Sequence, residues 1–292
     1  MQKQTPYFGS VKFFKHVIYL SLALLGFVVF SKLYSYSKEH FTERTFAAIP
    51  SANLLSDGET SEQTFTAPNY QSKYPELYSS IPKAFRQEKE KVAYLTFDDG
   101  PSIRTLEILE LLKAFNIKAT FFVVTEGTDL SILKRIVQEG HSIGIHCHSH
   151  EYKKLYASTE NFLEDLHTAY NKIYQATSIK PRFIRFPGGS INAYNSINYQ
   201  EIISEVLRRG FLYYDWNVST GDAASNPSLE QIMQNIKASV NGQDKLIILA
   251  HDSEHKTQTV AALPKIIEFL TREGYTFDRL EPTVKPIIFA YP

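Results

Sequence analysis

From residue 92 onward, short apolar runs alternate with amphipathic stretches, and this alternation restricts the possible folds more than anything else in the chain. The runs at 92–97, 119–124, 142–146, 183–186, 211–216, 246–250 and, less clearly, 275–277 are strand-length and rich in β-branched and aromatic residues. Between them, 102–115, 130–139, 158–175, 199–209, 228–239 and 260–272 carry a helical period. In the first of these, Ser102 is placed to cap, and Ile103, Leu106, Leu109, Leu112 and Phe115 fall on or near one face. Gly140, Gly210 and Gly274 follow three helices where a left-handed cap belongs. Seven strands alternating with six helices predict a parallel α/β fold, either an incomplete barrel or an open sheet. In both, ligand sites form at the carboxyl ends of the strands.

A chain of 292 residues that is 43% hydrophobic and 21% charged can bury one large core. Lys plus Arg and Asp plus Glu both number 31, with no basic block, so the charge pattern gives no reason to expect nucleic acid as a partner. Aromatic residues make up 13%, enough to pack a core and line a sugar cleft. Cys147 is the single cysteine, which excludes an intramolecular disulfide but does not fix the compartment.

Ahead of the alternating region, Lys3, Lys12 and Lys15 precede an apolar run over 17–30, broken only by Ser21 and Gly26. Fourteen residues is short for a full span, but Phe13 and Phe14 before it and Leu33, Tyr34 and Tyr36 after it extend it if Lys15 and Lys32 snorkel. Without a convincing Ala-x-Ala after the run, the expectation is an uncleaved signal anchor over 1–36, with secretion after cleavage as the alternative. The lysines favour a cytoplasmic tip and an extracytoplasmic remainder. Residues 37–85, polar and without period, read as a linker whose later part has aromatic residues able to dock, and 86–292 as the folded domain.

The reactive-looking residues fall where the strand-end rule puts them. Asp98 and Asp99 follow the first strand, His146 and His150 the third, Arg185-Phe186-Pro187-Gly188-Gly189 the fourth, Asp215 and Asp222 accompany the fifth, and His251-Asp252 follow the sixth. Asp98-Asp99-Gly100-Pro101 reads either as a solvated turn or as two acids with separate tasks, the latter only if the turn begins between them. His146 and His150 either cap a turn or, with Asp99, form a His₂-carboxylate set that leaves positions open on a metal ion. Asp98 is then free to act as a base, with Arg185 to orient it. Gly188 allows close backbone approach for an oxyanion, and His251, tuned by Asp222, is placed to protonate a leaving group. Trp216 is a core or pocket-wall residue, while Asp215, Asp252, His141, His167 and His255 read as structural.

Thr96-Phe97-Asp98-Asp99-Gly100, His146-x-x-x-His150, Arg185-x-Pro187-x-Gly189 and Ile248-Leu249-x-His251, in this order, resemble the polysaccharide deacetylase family, carbohydrate esterase family 4, also called the NodB-homology domain. The resemblance implies a distorted (β/α)₇ barrel, a divalent metal (zinc, with cobalt as alternative) and hydrolysis of acetyl groups on a glycan. By motif, it makes Asp98 the general base, Asp99, His146 and His150 the metal ligands, Arg185 the tether of the base and His251 the general acid. Three positions depart from the family pattern: Cys147 stands where Ser or Thr is usual, Gly188 where a large residue is common, and Ala223 where Trp follows the acid retained as Asp222. Gly188 is therefore expected to remove a cleft wall. The anchor and spacer make peptidoglycan N-acetylglucosamine the expected substrate. The alternatives are an O-acetyl xylan esterase, a deacetylase of another exported glycan, or an inactive glycan-binding protein.

Overall fold

The structure, a computed structural model, describes residues 67–88, 91–224 and 227–292. The expected anchor over 1–36 and the first part of the linker lie outside the described residues. Among the described residues, no helix is long and apolar enough to cross a membrane.

Eight parallel strands form one curled sheet in the order β5-β4-β3-β2-β1-β7-β6, with β8 paired to β1. They are β1 (Val92–Asp98), β2 (Thr120–Val124), β3 (Ser142–Cys147), β4 (Phe183–Ile184), β5 (Leu212–Tyr213), β6 (Val218–Ser219), β7 (Lys245–His251) and β8 (Thr276–Asp278). Seven α-helices connect them, two between β3 and β4 and none between β5 and β6: α1 (Ile103–Ala114), α2 (Ile132–Gln138), α3 (Tyr152–Leu155), α4 (Thr159–Thr177), α5 (Tyr199–Arg208), α6 (Leu229–Ser239) and α7 (Thr257–Arg272). β1 is the centre. It pairs with β7 along its full length, with β8 at its start and with β2 at its end. The expected seven strands are eight, because Val218–Ser219 is a strand of its own beside β7. The curl does not close by strand pairing among the described residues. Beyond β5, the C-terminal segment takes over, with Asp215 N–H donating to Ile287 O at 2.8 Å.

Alternation along the strands sorts side chains between two cores. Ala93, Leu95 and Phe97 join the large cluster shared with the helices. Val92 and Tyr94 join a second cluster with Phe122, Phe183, Tyr214 and Ile247, to which no helix contributes a buried side chain. The helix-free face is the inside of the curl, and by the same parity Thr96 and Asp98 continue it upward. Arg185 follows Phe183 and His251 follows Ile247 on that face. Cys147 is on the other: it packs in the helix-side core with Ile143 and Ile145, and burial pushes its thiol well above the usual range. It is a small apolar filler.

α1 starts at a capping box in which Ser102 Oγ accepts from Arg104 N–H and Thr105 Oγ1 accepts from Ser102 N–H. The glycines expected to end helices do so with left-handed φ, +81° at Gly140, +79° at Gly210 and +83° at Gly274. The later part of the expected linker is not a free spacer. Leu77 is fully buried in the main core, and the buried Arg209 guanidinium donates to Tyr74 O at 2.9 Å and Tyr70 O at 3.0 Å.

Candidate active site

At the carboxyl end of the sheet, Asp98 and His251 are register partners on the neighbouring strands β1 and β7. The strand ends at Asp98, and Asp99 takes a left-handed conformation, φ +75°, so the turn begins between the two acids and parts their side chains. His150 is also left-handed, φ +55°. Such backbone costs a non-glycine residue about 1–3 kcal/mol and is found where a site needs the side chain aimed. Gly100 is required next, because a Cβ there would lie 2.2 Å from Asp252 Oδ2.

Asp99, His146 and His150 each offer one ligand atom, and the three lie within 4.8 Å of one another. Asp99 Oδ1 is 3.4 Å from His146 Nε2 and 3.2 Å from His150 Nε2. His146 Nδ1 donates to Arg185 O at 2.9 Å, which commits that proton and leaves the Nε2 lone pair facing Asp99. Burial lowers the His146 pKa and keeps the ring neutral, the form that ligates. Burial by itself would raise Asp99, but the imidazoles of His150, His146 and His251 hold its carboxyl well below the usual range. Two neutral-capable imidazoles and an ionised carboxylate, converging from β3 and β1, fit a divalent cation with coordination positions left open. The loop that aims His150 is pinned by Asp165 of α4, whose carboxylate accepts from His148 N–H at 2.5 Å and Ser149 N–H at 2.9 Å. Sequence patterning did not pick out this residue. His148 turns aside to Thr125.

Asp98 is almost wholly buried and accepts from Arg185 Nη1 at 3.0 Å. Arg185, expected to orient Asp98, does not grip it as a two-pronged fork. Instead its donors are spread over four acceptors: Thr96 Oγ1 at 2.6 Å, Asp98 Oδ1, Tyr214 O at 2.9 Å and Asp215 O at 3.2 Å. Its plane lies over the Phe122 ring, 4.3 Å from the centroid. So much anchoring makes Arg185 an immobile post against which Asp98 is set.

On the other side of the cluster, His251 Nδ1 is 2.7 Å from Asp222 Oδ1, while Asp222 Oδ2 accepts from His251 N–H at 2.8 Å and Thr259 Oγ1 at 2.7 Å. Burial works against a charged His251, but Asp222, with Asp98 and Asp99 adding, pushes it up to about 9. With Nδ1 committed, Nε2 is the nitrogen left for chemistry.

These groups share a cavity of about 340 Å³. Trp216 is one of its walls, resolving the choice between core and wall, and its ring packs edge-on to Phe289 at 4.9 Å. Gly188 lines it too, whereas Gly189 N–H is spent on Phe186 O at 2.8 Å and Pro187 has no N–H, so Gly188 alone in this turn can donate to an oxyanion. Pro187 instead accepts from Tyr156 Oη at 2.8 Å. The wall expected to be missing beside Gly188 is present. Tyr152 of α3 fills it, with its ring carbon Cε1 3.0 Å from where a Gly188 Cβ would sit. Ala223 and Lys256 complete the opposite side, with Lys256 Nζ donating to Asp222 O at 2.6 Å. Asp215 is structural as expected: it accepts from Ser190 N–H, Ser190 Oγ and Phe289 N–H. A larger cavity of about 830 Å³ near the starts of β3 and β4 contains none of these residues.

The profile of the polysaccharide deacetylase family matches residues 85–202. A peptidoglycan-N-acetylglucosamine deacetylase of Bacillus cereus is 34% identical over 212 residues, covering 70% of this chain and 74% of the relative. Among solved structures, the catalytic domain of peptidoglycan N-acetylglucosamine deacetylase from Eubacterium rectale superposes with a TM-score of 0.67 at 33% identity, covering 72% of this chain and 98% of that one. A polysaccharide deacetylase from Bacillus cereus gives 0.58 at 32% identity, covering 65% and 92%. Sequence similarity of this extent, on a parallel curled sheet with the motif residues gathered at one end, shows that the chain belongs to the polysaccharide deacetylase family.

Proposed function

We propose that the protein is a metal-dependent hydrolase that removes N-acetyl groups from a cell-surface polysaccharide, with N-acetylglucosamine of peptidoglycan as its substrate. The observation that carries this reading is the placement of a buried base, Asp98, and a raised-pKa acid, His251, beside the Asp99, His146 and His150 cluster in one cavity. The peptidoglycan assignment draws on what the similar proteins from Bacillus cereus and Eubacterium rectale are described as acting on.

Asp99, His146 and His150 would hold the cation, zinc by its liking for two imidazoles and a carboxylate, cobalt as the alternative, and when bound it supplies Lewis acidity toward the acetyl carbonyl and water. Asp98 takes the proton of the attacking water, held in place by Arg185. Gly188 N–H donates to the oxygen on which negative charge develops. His251 Nε2 then delivers its proton to the departing amine, and Asp222 steadies the imidazolium meanwhile. The amide C–N bond breaks, the acetyl carbon keeps the water oxygen, and acetate and the free amine leave.

Acetate release from peptidoglycan, chito-oligosaccharides and acetylated xylan, with and without a chelator, tests this reading. Release from peptidoglycan that the chelator stops is expected. Release from xylan alone would make the protein an O-acetyl esterase, and no release from any acetylated glycan by metal-loaded protein would leave a binding protein. A single-pass membrane anchor with the domain outside belongs to the same proposal, resting on the lysines ahead of the apolar run at 17–30. Resistance of the full chain to alkaline carbonate extraction from membranes would support it, and complete extraction would refute it.

A further inference from the structure

His146 and His150 reach the cluster with Asp99 by different means. His146 stands in β3, buried, with its Nδ1 proton committed to Arg185 O at 2.9 Å. His150 lies beyond the strand with its side chain 33% exposed. Among the described residues its Nδ1 has no hydrogen-bond partner, and the Tyr152 ring packs edge-on to it at 5.3 Å. A ligating imidazole is ordinarily oriented through its second nitrogen. For His150 that part falls to the backbone, which is left-handed there, φ +55°.

One carboxylate holds this backbone. Asp165 Oδ1 accepts from His148 N–H at 2.5 Å, and Oδ2 accepts from Ser149 N–H at 2.9 Å and Ser149 Oγ at 2.7 Å. The carbonyls of the same loop are tied from the other side, Cys147 O by Thr125 N–H at 3.2 Å and His148 O by Glu126 N–H at 3.0 Å. Asp165 is presented from a firm base, since Leu163, Leu166 and Ala169 of α4 are buried in the main core. Take the carboxylate away and two consecutive N–H groups lose their acceptors, so the loop can relax out of the left-handed turn that aims His150.

We propose that Asp165 is a positioning residue of the metal site: its carboxylate, which is not one of the ligand groups, sets the affinity with which Asp99, His146 and His150 hold a divalent cation. This rests on the deacetylase reading for the presence of the cation, and on nothing in the reaction itself.

Zinc affinity of the full chain, stripped of metal and titrated in competition with a chromophoric chelator, tests this without turnover. Asp165→Asn keeps the shape but turns an N–H donor toward one of the two backbone amides, and should weaken zinc binding by about 10- to 100-fold. Asp165→Glu, which keeps both acceptors on a longer stem, should fall in between. Ile236→Ala is the control, a fully buried side chain of α6 next to β6 at the far end of the sheet. It should lower the denaturation midpoint and leave zinc affinity within about twofold. Unchanged zinc affinity in Asp165→Asn overturns the proposal, and so does an equal weakening in Ile236→Ala, which would make the effect a general loosening. If Asp165→Asn does not fold, Asp165→Glu decides: a loss of about threefold or more supports the proposal, and wild-type affinity overturns it. Acetate release in parallel separates the two ideas. Turnover by wild type with zinc affinity unmoved in the Asp165 variants removes only the positioning role, and a shifted zinc affinity without turnover by zinc-loaded wild type removes only the reaction.

Discussion

Asp222 Oδ1 lies 2.7 Å from His251 Nδ1, and the same carboxylate also receives the His251 backbone N–H. One buried acid thus fixes the position, the tautomer and the charge of the imidazole. With the folded pKa of His251 at about 9 and an unfolded value of about 6.5, the pair favours the protonated ring. Its contribution to stability is fully present below about pH 6.5 and is lost as pH rises through about 9. A general acid must also be protonated to act, so activity should fall above about pH 9. Asp222→Asn should move that alkaline limb downward and reduce kcat by about 10²-fold or more. A pH profile of kcat/KM with the limb unmoved would remove Asp222 from this role.

Asp98→Asn should lower turnover by about 10²- to 10⁴-fold while leaving metal content as in wild type, since the amide cannot take a proton from water but still offers an oxygen to Arg185 Nη1. Metal analysis beside steady-state kinetics checks both halves. Arg185→Ala is a different lesion. It strands Asp98 and removes the donor group shared among Thr96, Tyr214 and Asp215, so it should destabilise the fold by about 3–5 kcal/mol, readable as a lowered denaturation midpoint.

A chelator should abolish turnover, and readdition of zinc or cobalt should restore it at one ion per chain, with His146→Ala or Asp99→Ala failing to recover. Restored activity in either variant at ordinary metal concentrations would exclude that residue from the ligand set.

Gly100→Ala carries the sharpest steric forecast. The added methyl would meet Asp252 Oδ2 at 2.2 Å, and that carboxyl is held by Thr105 Oγ1 at 2.5 Å, with its other oxygen buried and unpartnered among the described residues. Burial, with Asp99 and Asp98 adding, pushes Asp252 up to about 7 although Thr105 pulls it down. Neither side can yield without moving the turn that carries Asp98 and Asp99, so a loss of about 1–3 kcal/mol together with loss of activity is expected. Thermal melts and acetate release measure the two.

Much of this site was readable because strand parity and chemistry coincide. Thr96 and Asp98, and Phe183 and Arg185, are each two apart, and Ile247 and His251 are four apart, so an apolar run with its reactive residue at the end already says which side chain faces inward. Cys147 is one step out of that phase and accordingly packs in the helix-side core. β6 is two residues long and α3 four, too short to show a period, and Tyr152, which closes the cavity beside Gly188, stands on α3. The tightness of the Arg185 post was hidden as well, because its carbonyl acceptors, Tyr214 and Asp215, come from a distant strand end.

The segment before β1 packs into the domain. Leu77 is fully buried, and next to it Gly210 leaves no room for a side chain: a Cβ would lie 2.1 Å from Ser79 O. Ser79 N–H donates to Arg209 O at 2.8 Å, and Arg209 itself, wholly buried, spends two nitrogens on the carbonyls of Tyr70 and Tyr74. If the segment undocked, Arg209 would lose two of its three hydrogen-bond partners among the described residues and keep Glu205. The segment is thus a structural strap of the domain, and Leu77→Ala should cost about 2–5 kcal/mol. A free linker would tolerate the change within about 0.5 kcal/mol, as exposed positions do. Urea denaturation decides between them: a clear drop in midpoint at unchanged slope is the strap, and a coincident curve would return these residues to the linker.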